Sequence, residues 1–146
     1  MTKSYLGILI GGLIPAILFG ISGVCQKAAT RAGISLPPYI LFISLGVMTG
    51  TAFAWLLIPE IKVNLKSGGF AAVIGLLWAI GMTLVGFALM RYNVPISKLA
   101  PLYNMNTLVA VVLSMLIFAE WKEVNPYTLI TGALLIIIGG TLVANS

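Results

Sequence analysis

The stretch from Leu99 to Ala119, LAPLYNMNTLVAVVLSMLIFA, runs for 21 residues without a charged side chain. A helix needs about 20 apolar residues to cross the hydrocarbon core of a bilayer. Four more charge-free stretches accompany it: Ser4–Gln26, Ala32–Pro59, Ser67–Met90 and Val124–Ser146. The pattern predicts an all-α integral membrane protein whose single domain holds five transmembrane helices, over 5–27, 38–58, 69–91, 97–119 and 126–144. Breakers fall between these runs: Pro37-Pro38, Pro59, Gly68-Gly69, Pro95 and Pro126. Tyr5, Tyr39, Trp55, Tyr92, Trp121 and Tyr127 stand near the expected ends, where amphipathic rings meet lipid headgroups. Composition agrees. The chain is 60% hydrophobic and 8% charged with a mean hydropathy of +1.13, whereas a soluble domain carries roughly 25% charge.

The same arithmetic excludes several chemistries. There is no His, no Asp and a single cysteine, Cys25, so no cluster of metal or redox ligands and no Ser–His–Asp triad is expected. No glycine-rich phosphate loop is present, because Gly68-Gly69 and Gly139-Gly140 lack a Lys-Ser/Thr sequel. An enzyme is the least favoured class, and no cofactor is expected. The net charge of +5 is spread in ones and twos between apolar runs, which reads as headgroup anchoring rather than nucleic-acid binding. Lys3 and the run after it imitate a secretory signal, but the run is long and no small-residue cleavage site follows. A retained first helix is expected, with Cys25 as a small buried apolar residue.

Small residues recur every four positions: Gly7 and Gly11, Ala16 and Gly20, Gly46, Gly50 and Ala54, Gly75 and Ala79. Such spacing lets helix backbones approach closely in lipid, so these are the expected packing faces. The fourth helix is two-sided. At 100° per residue Tyr103, Thr107, Ala110 and Ser114 fall within about 60° of one another, flanked by Asn104 and Asn106, while Met105, Leu108, Val109, Val112 and Leu116 face the other way. Pro101 leaves the Ser97 carbonyl without its helical donor, and irregular backbone at membrane depth needs protein or water to cover it. A cavity lined by Tyr103, Asn104, Asn106 and Thr107 is the expectation, against the plainer alternative of hydrogen bonds to neighbouring helices. Trp78 lies mid-helix, away from the aromatic belt, with Gly75 and Gly81 a turn to either side. It either walls a solute site or fills the gap its glycines leave. No carboxylate lies inside a span, since Glu60, Glu120 and Glu123 sit at expected ends, so proton antiport through a buried Glu is not expected.

Ala88-Leu89-Met90-Arg91-Tyr92, Pro95-Ile96-Ser97, Ala100-Pro101-Leu102, Leu116 to Glu120 and the final Gly132 … Gly139-Gly140 helix together resemble the EamA-type half of the drug/metabolite transporter superfamily. Gly12 … Pro15-Ala16 … Gly20 … Lys27 resembles its first helix. The resemblance implies one five-helix repeat of a ten-helix, inverted-repeat transporter, with substrate near the midplane. One repeat per chain implies that two chains pair, and the absence of Glu from the first helix departs from the small multidrug relatives. The leading expectation is an inner (plasma) membrane subunit that moves a small polar solute by alternating access. A flippase subunit for lipid-linked sugars and a membrane scaffold without transport are the alternatives. Membrane lipid and a second, antiparallel copy are the expected partners. Lys3, Lys62, Lys66 and Lys122 fall on one side of the bilayer and Lys27, Arg31, Arg91 and Lys98 on the other; four against four predicts insertion both ways.

Overall fold

Prolines and caps decide where the elements begin and break. In the computed structural model, which describes residues 3–58, 62–119 and 124–146, the chain opens with α1 (Lys3–Ile8), a π-helical turn (Leu9–Leu13) and α2 (Ile14–Arg31). Pro15 has no N–H for the Gly11 carbonyl and its ring crowds that carbonyl. The backbone widens around it, and the Ile14 N–H reaches five residues back to Leu9. α2 passes the expected end at 27 because Ala28 to Arg31 contain no breaker; it stops where Gly33 adopts a φ of 89°.

α3 (Leu36–Leu57) begins behind Ser35, whose backbone is extended, and takes Pro37 and Pro38 into its first turn. α4 (Leu65–Arg91) starts four residues before the expected position. The Asn64 side chain accepts the Ser67 N–H at 2.7 Å, and the Ser67 hydroxyl accepts the Asn64 N–H at 3.2 Å. This reciprocal cap outweighs Gly68-Gly69, which were read as a break and instead lie in the first turns.

The fourth span is not the unbroken helix over 97–119 that the sequence predicts. α5 (Ile96–Tyr103) and α6 (Asn106–Phe118) are separated at Asn104 and Met105. There the N–H groups of Met105, Thr107 and Leu108 bond three residues back, to Leu102, Asn104 and Met105. Each residue of such a tightened turn adds about 20° to the helical rotation. The stripe joining Tyr103 to Thr107 therefore does not keep the register of a uniform helix. α7 (Pro126–Asn145) is capped by the Asn125 side chain, which accepts from Tyr127 and Thr128, and ends within a residue of expectation.

Five helices are long and apolar enough to cross a membrane: Tyr5–Arg31, Leu36–Leu57, Leu65–Arg91, Ile96–Phe118 and Tyr127–Asn145. This is the pattern of a multi-pass membrane protein. Pro59, Glu60, Glu120, Trp121, Lys122 and Glu123, assigned above to ends and loops, lie outside the described residues.

The chain divides into two units, Met1–Asn93 and Val94–Ser146. In the first, α4 packs against both α2 and α3. Tyr39 and Leu89 are its buried large side chains, at 3% and 1% exposure, and Gly23 and Gly86 are buried with them. Gly86 is the seat of the Tyr39 ring, since a Cβ there would stand 2.8 Å from Tyr39 Cε1. In the second unit α5 packs on α7, where a Cβ on Gly140 would meet Met105 Sδ at 3.3 Å. At Gly7, Gly11, Gly46, Gly50 and Gly75, by contrast, nothing among the described residues comes within 4 Å of an added Cβ. Ala79 is half-buried. Among the described residues the tightest approaches to a glycine thus fall at Gly86 and Gly140.

Candidate functional site

Most in-span hydroxyls are satisfied by their own helices. Ser44, Thr49, Thr51, Thr83, Thr131 and Thr141 each donate to the carbonyl four residues back, at 2.8–2.9 Å. Such bonds absorb the polar group locally and leave nothing for a ligand. Gln26 differs. It is the chain's one glutamine, it is only 8% exposed, and its Oε1 is buried with no hydrogen-bond partner among the described residues. A buried amide oxygen left unpaired costs about 1–3 kcal/mol.

That oxygen belongs to a residue lining a cavity of about 270 Å³, built by three helices of the first unit. Ser22, Cys25, Gln26 and Ala29 come from α2, at the i, i+3, i+4 and i+7 positions of one helix face. α3 gives Tyr39, Phe42 and Ile43, and α4 gives Trp78 and Met82, again one face each. Ile34 closes the wall from the α2–α3 connection. Trp78 stands thirteen residues from either end of α4, about 20 Å along the axis, so the cavity reaches the middle of that helix. Its indole is 46% exposed, and a Cβ on Gly75 or Gly81 would meet nothing within 4 Å. Cys25, expected to be buried, is exposed.

The other four expected site residues surround the break in the second unit. Tyr103 is half-buried, whereas Asn104, Asn106 and Thr107 are exposed. The Thr107 hydroxyl donates to the Asn104 carbonyl at 3.0 Å, and Ser114 donates to Val111 at 3.0 Å. Thr107 alone of the four lines a described cavity, a largely apolar groove of about 510 Å³ between α6 and α7 that also takes in Asn125 and Thr128. Gln26 and Tyr39 went unread in the sequence as site residues. A lone glutamine closing a 23-residue charge-free run was the available signal. Among the described residues no group of His, Cys, Asp and Glu could hold a metal ion. Compared with family models, curated proteins and solved structures, the chain matches none.

Proposed function

We propose that this chain is half of a membrane transporter that carries a small polar solute, such as a sugar or amino acid, by alternating access. The single observation that carries the reading is the cavity that Gln26 and Trp78 line, within helices long enough to cross a membrane. A mostly apolar pocket with one convergent polar group is the usual form of a small-molecule site. In the EamA-type arrangement that the sequence resembles, two such repeats face each other in opposite orientation. A second, antiparallel copy in the inner membrane would complete the ten helices. In the second unit, taken by itself, Tyr103, Asn104, Asn106 and Thr107 are proposed as solute-contacting residues, because broken helices at membrane depth serve transporters as binding elements.

The test begins with a thermal-shift screen of the purified chain against sugars, amino acids and quaternary amines, since a ligand of the native state raises apparent stability. Counterflow of the best binder in reconstituted vesicles then reads transport. Gln26→Leu, Trp78→Leu and Asn106→Leu each should abolish exchange while leaving the protein inserted and monodisperse. Normal exchange in the Gln26 and Trp78 variants removes the pocket from the transport path.

A further inference from the structure

A hydroxyl inside an apolar helix ordinarily bonds to a carbonyl one turn back, and Ser22 departs from that rule. Ser44 of α3 and Thr83 of α4 both donate to the carbonyl four residues before them. Ser22 is exposed on α2 and lines the Trp78 cavity, and its hydroxyl has no hydrogen bond among the described residues. Trp78 is in the same state, since its indole N–H has no partner among the described residues either. The indole can only donate, whereas the hydroxyl can donate and accept. Two free polar groups, one from α2 and one from α4, therefore line a single cavity of the first unit. Phe42 and Tyr39 add aromatic surface to the same wall, and none of the residues lining it is charged.

That lining selects by charge. An ion entering a cavity without a counter-charge gives up its hydration uncompensated, which disfavours cations, anions and the paired charges of a free amino acid. A hydrocarbon pays no such cost but leaves the hydroxyl and the indole N–H without partners. Both demands are met by an uncharged ring that carries hydroxyls on its edge and C–H groups on its face. Its face lies on aromatic surface, one oxygen accepts from Trp78, and another group donates to Ser22 or accepts from it. The volume of about 270 Å³ falls below the roughly 300–1,000 Å³ usual for ligand pockets, so the ring is small. We infer that the cavity binds an uncharged polyol of monosaccharide size and that Ser22 is a solute-binding residue beside Trp78. This rests on the reading of the Trp78 cavity as the solute site and narrows it from polar solutes in general to uncharged ones.

Cys25 lines the cavity, is exposed and is the chain's one cysteine, so its rate of alkylation by N-ethylmaleimide reports occupancy in the unaltered protein. The full chain is reconstituted in phosphatidylcholine vesicles and alkylated in the presence of one probe at a time. Glucose, ribose and myo-inositol are the uncharged probes; glucosamine, glucuronate and alanine are the charged ones. At least one uncharged probe should halve the rate at a concentration at least about tenfold below that of every charged probe. Ser22→Ala and Trp78→Phe, which keeps the ring and removes the N–H, should each raise that concentration about two- to tenfold. Ser22→Ala should keep its melting temperature, because the hydroxyl bonds to nothing in the chain, and Ser44→Ala, away from the cavity, should leave protection as it is. Equal protection by a charged probe, no protection by any uncharged one, or full protection in both the Ser22 and Trp78 variants overturns the inference. Counterflow in the same vesicles separates the two readings. Protection by an uncharged probe without its exchange removes transport and keeps the site, whereas exchange of alanine or glucosamine without such protection does the reverse.

Discussion

Two backbone positions carry opposite consequences for a single methyl group. Ala119, at the C-cap of α6, adopts φ 55° and ψ 34°, a left-handed conformation that costs an L-residue roughly 1–2 kcal/mol. Ala119→Gly removes that strain and returns part of the gain as unfolded-state entropy. A rise of a few degrees in the melting temperature in detergent is expected, and a fall would show that the methyl group is held by packing. Gly86 is the reverse case. A Cβ there would lie 2.8 Å from Tyr39 Cε1 and 3.0 Å from Leu36 Cδ1, and Tyr39 is 3% exposed. Gly86→Ala should cost about 1–3 kcal/mol by overpacking and, since Tyr39 also lines the Trp78 cavity, weaken any ligand-induced shift in melting. Gly75→Ala meets nothing within 4 Å and should leave the isolated chain at least as stable, because alanine favours helix over glycine by about 1 kcal/mol.

At the scale of elements, the two interior prolines give two different breaks. Pro15 is met by a π-helical turn, and a tightened turn follows Pro101 three residues on. Beyond the Pro101 break, α6 and α7 leave the groove that Thr107 lines. Pro101→Ala restores the missing donor to Ser97 and, by helix propensity, favours a continuous 96–118 helix by up to about 3 kcal/mol. Higher thermal stability with slower exchange is the expected pair of results; unaltered exchange would remove the break from the mechanism. The number of spans and their rough limits were legible in the sequence because charge-free runs of bilayer length admit few other readings. The start of α4 was not, since Asn64 and Ser67 act through a cap whose two bonds are local and polar, while the adjacent glycines carried the louder signal. Nor was the Gln26 cavity, because its helix faces converge only once α2, α3 and α4 are packed, and no periodicity within one helix reports that. Trp78 was legible for the opposite reason: one aromatic ring displaced from the interfacial belt stands out without any tertiary knowledge.

For the whole molecule the open quantity is orientation, and it follows from counting. If all five helices cross, the sequence order puts Lys3, Lys62, Lys66 and Lys122 on one face of the bilayer and Lys27, Arg31, Arg91 and Lys98 on the other. Lys27 and Arg31 ride the last turns of α2, Arg91 closes α4 and Lys98 lies in the first turn of α5. Lysine and arginine near span ends set which side stays in the cytoplasm, and acidic residues contribute little. Four against four supplies no bias, so the chain should insert in both directions, and opposite copies could then pair as inverted repeats. All three Glu fall on the first face, so a rule of net charge would give +1 against +4 and one orientation. The two rules are separated by a single-cysteine protein, Cys25→Ala with Ser146→Cys, labelled in sealed vesicles with an impermeant maleimide before and after lysis. About half the protein should label from each side. Removing Lys62 makes the count three against four and should shift that half toward a dominant orientation, which ties the result to loop charge rather than to handling. Label from one side only, in the protein with all eight cations in place, rules out dual insertion and with it an antiparallel pair of identical chains.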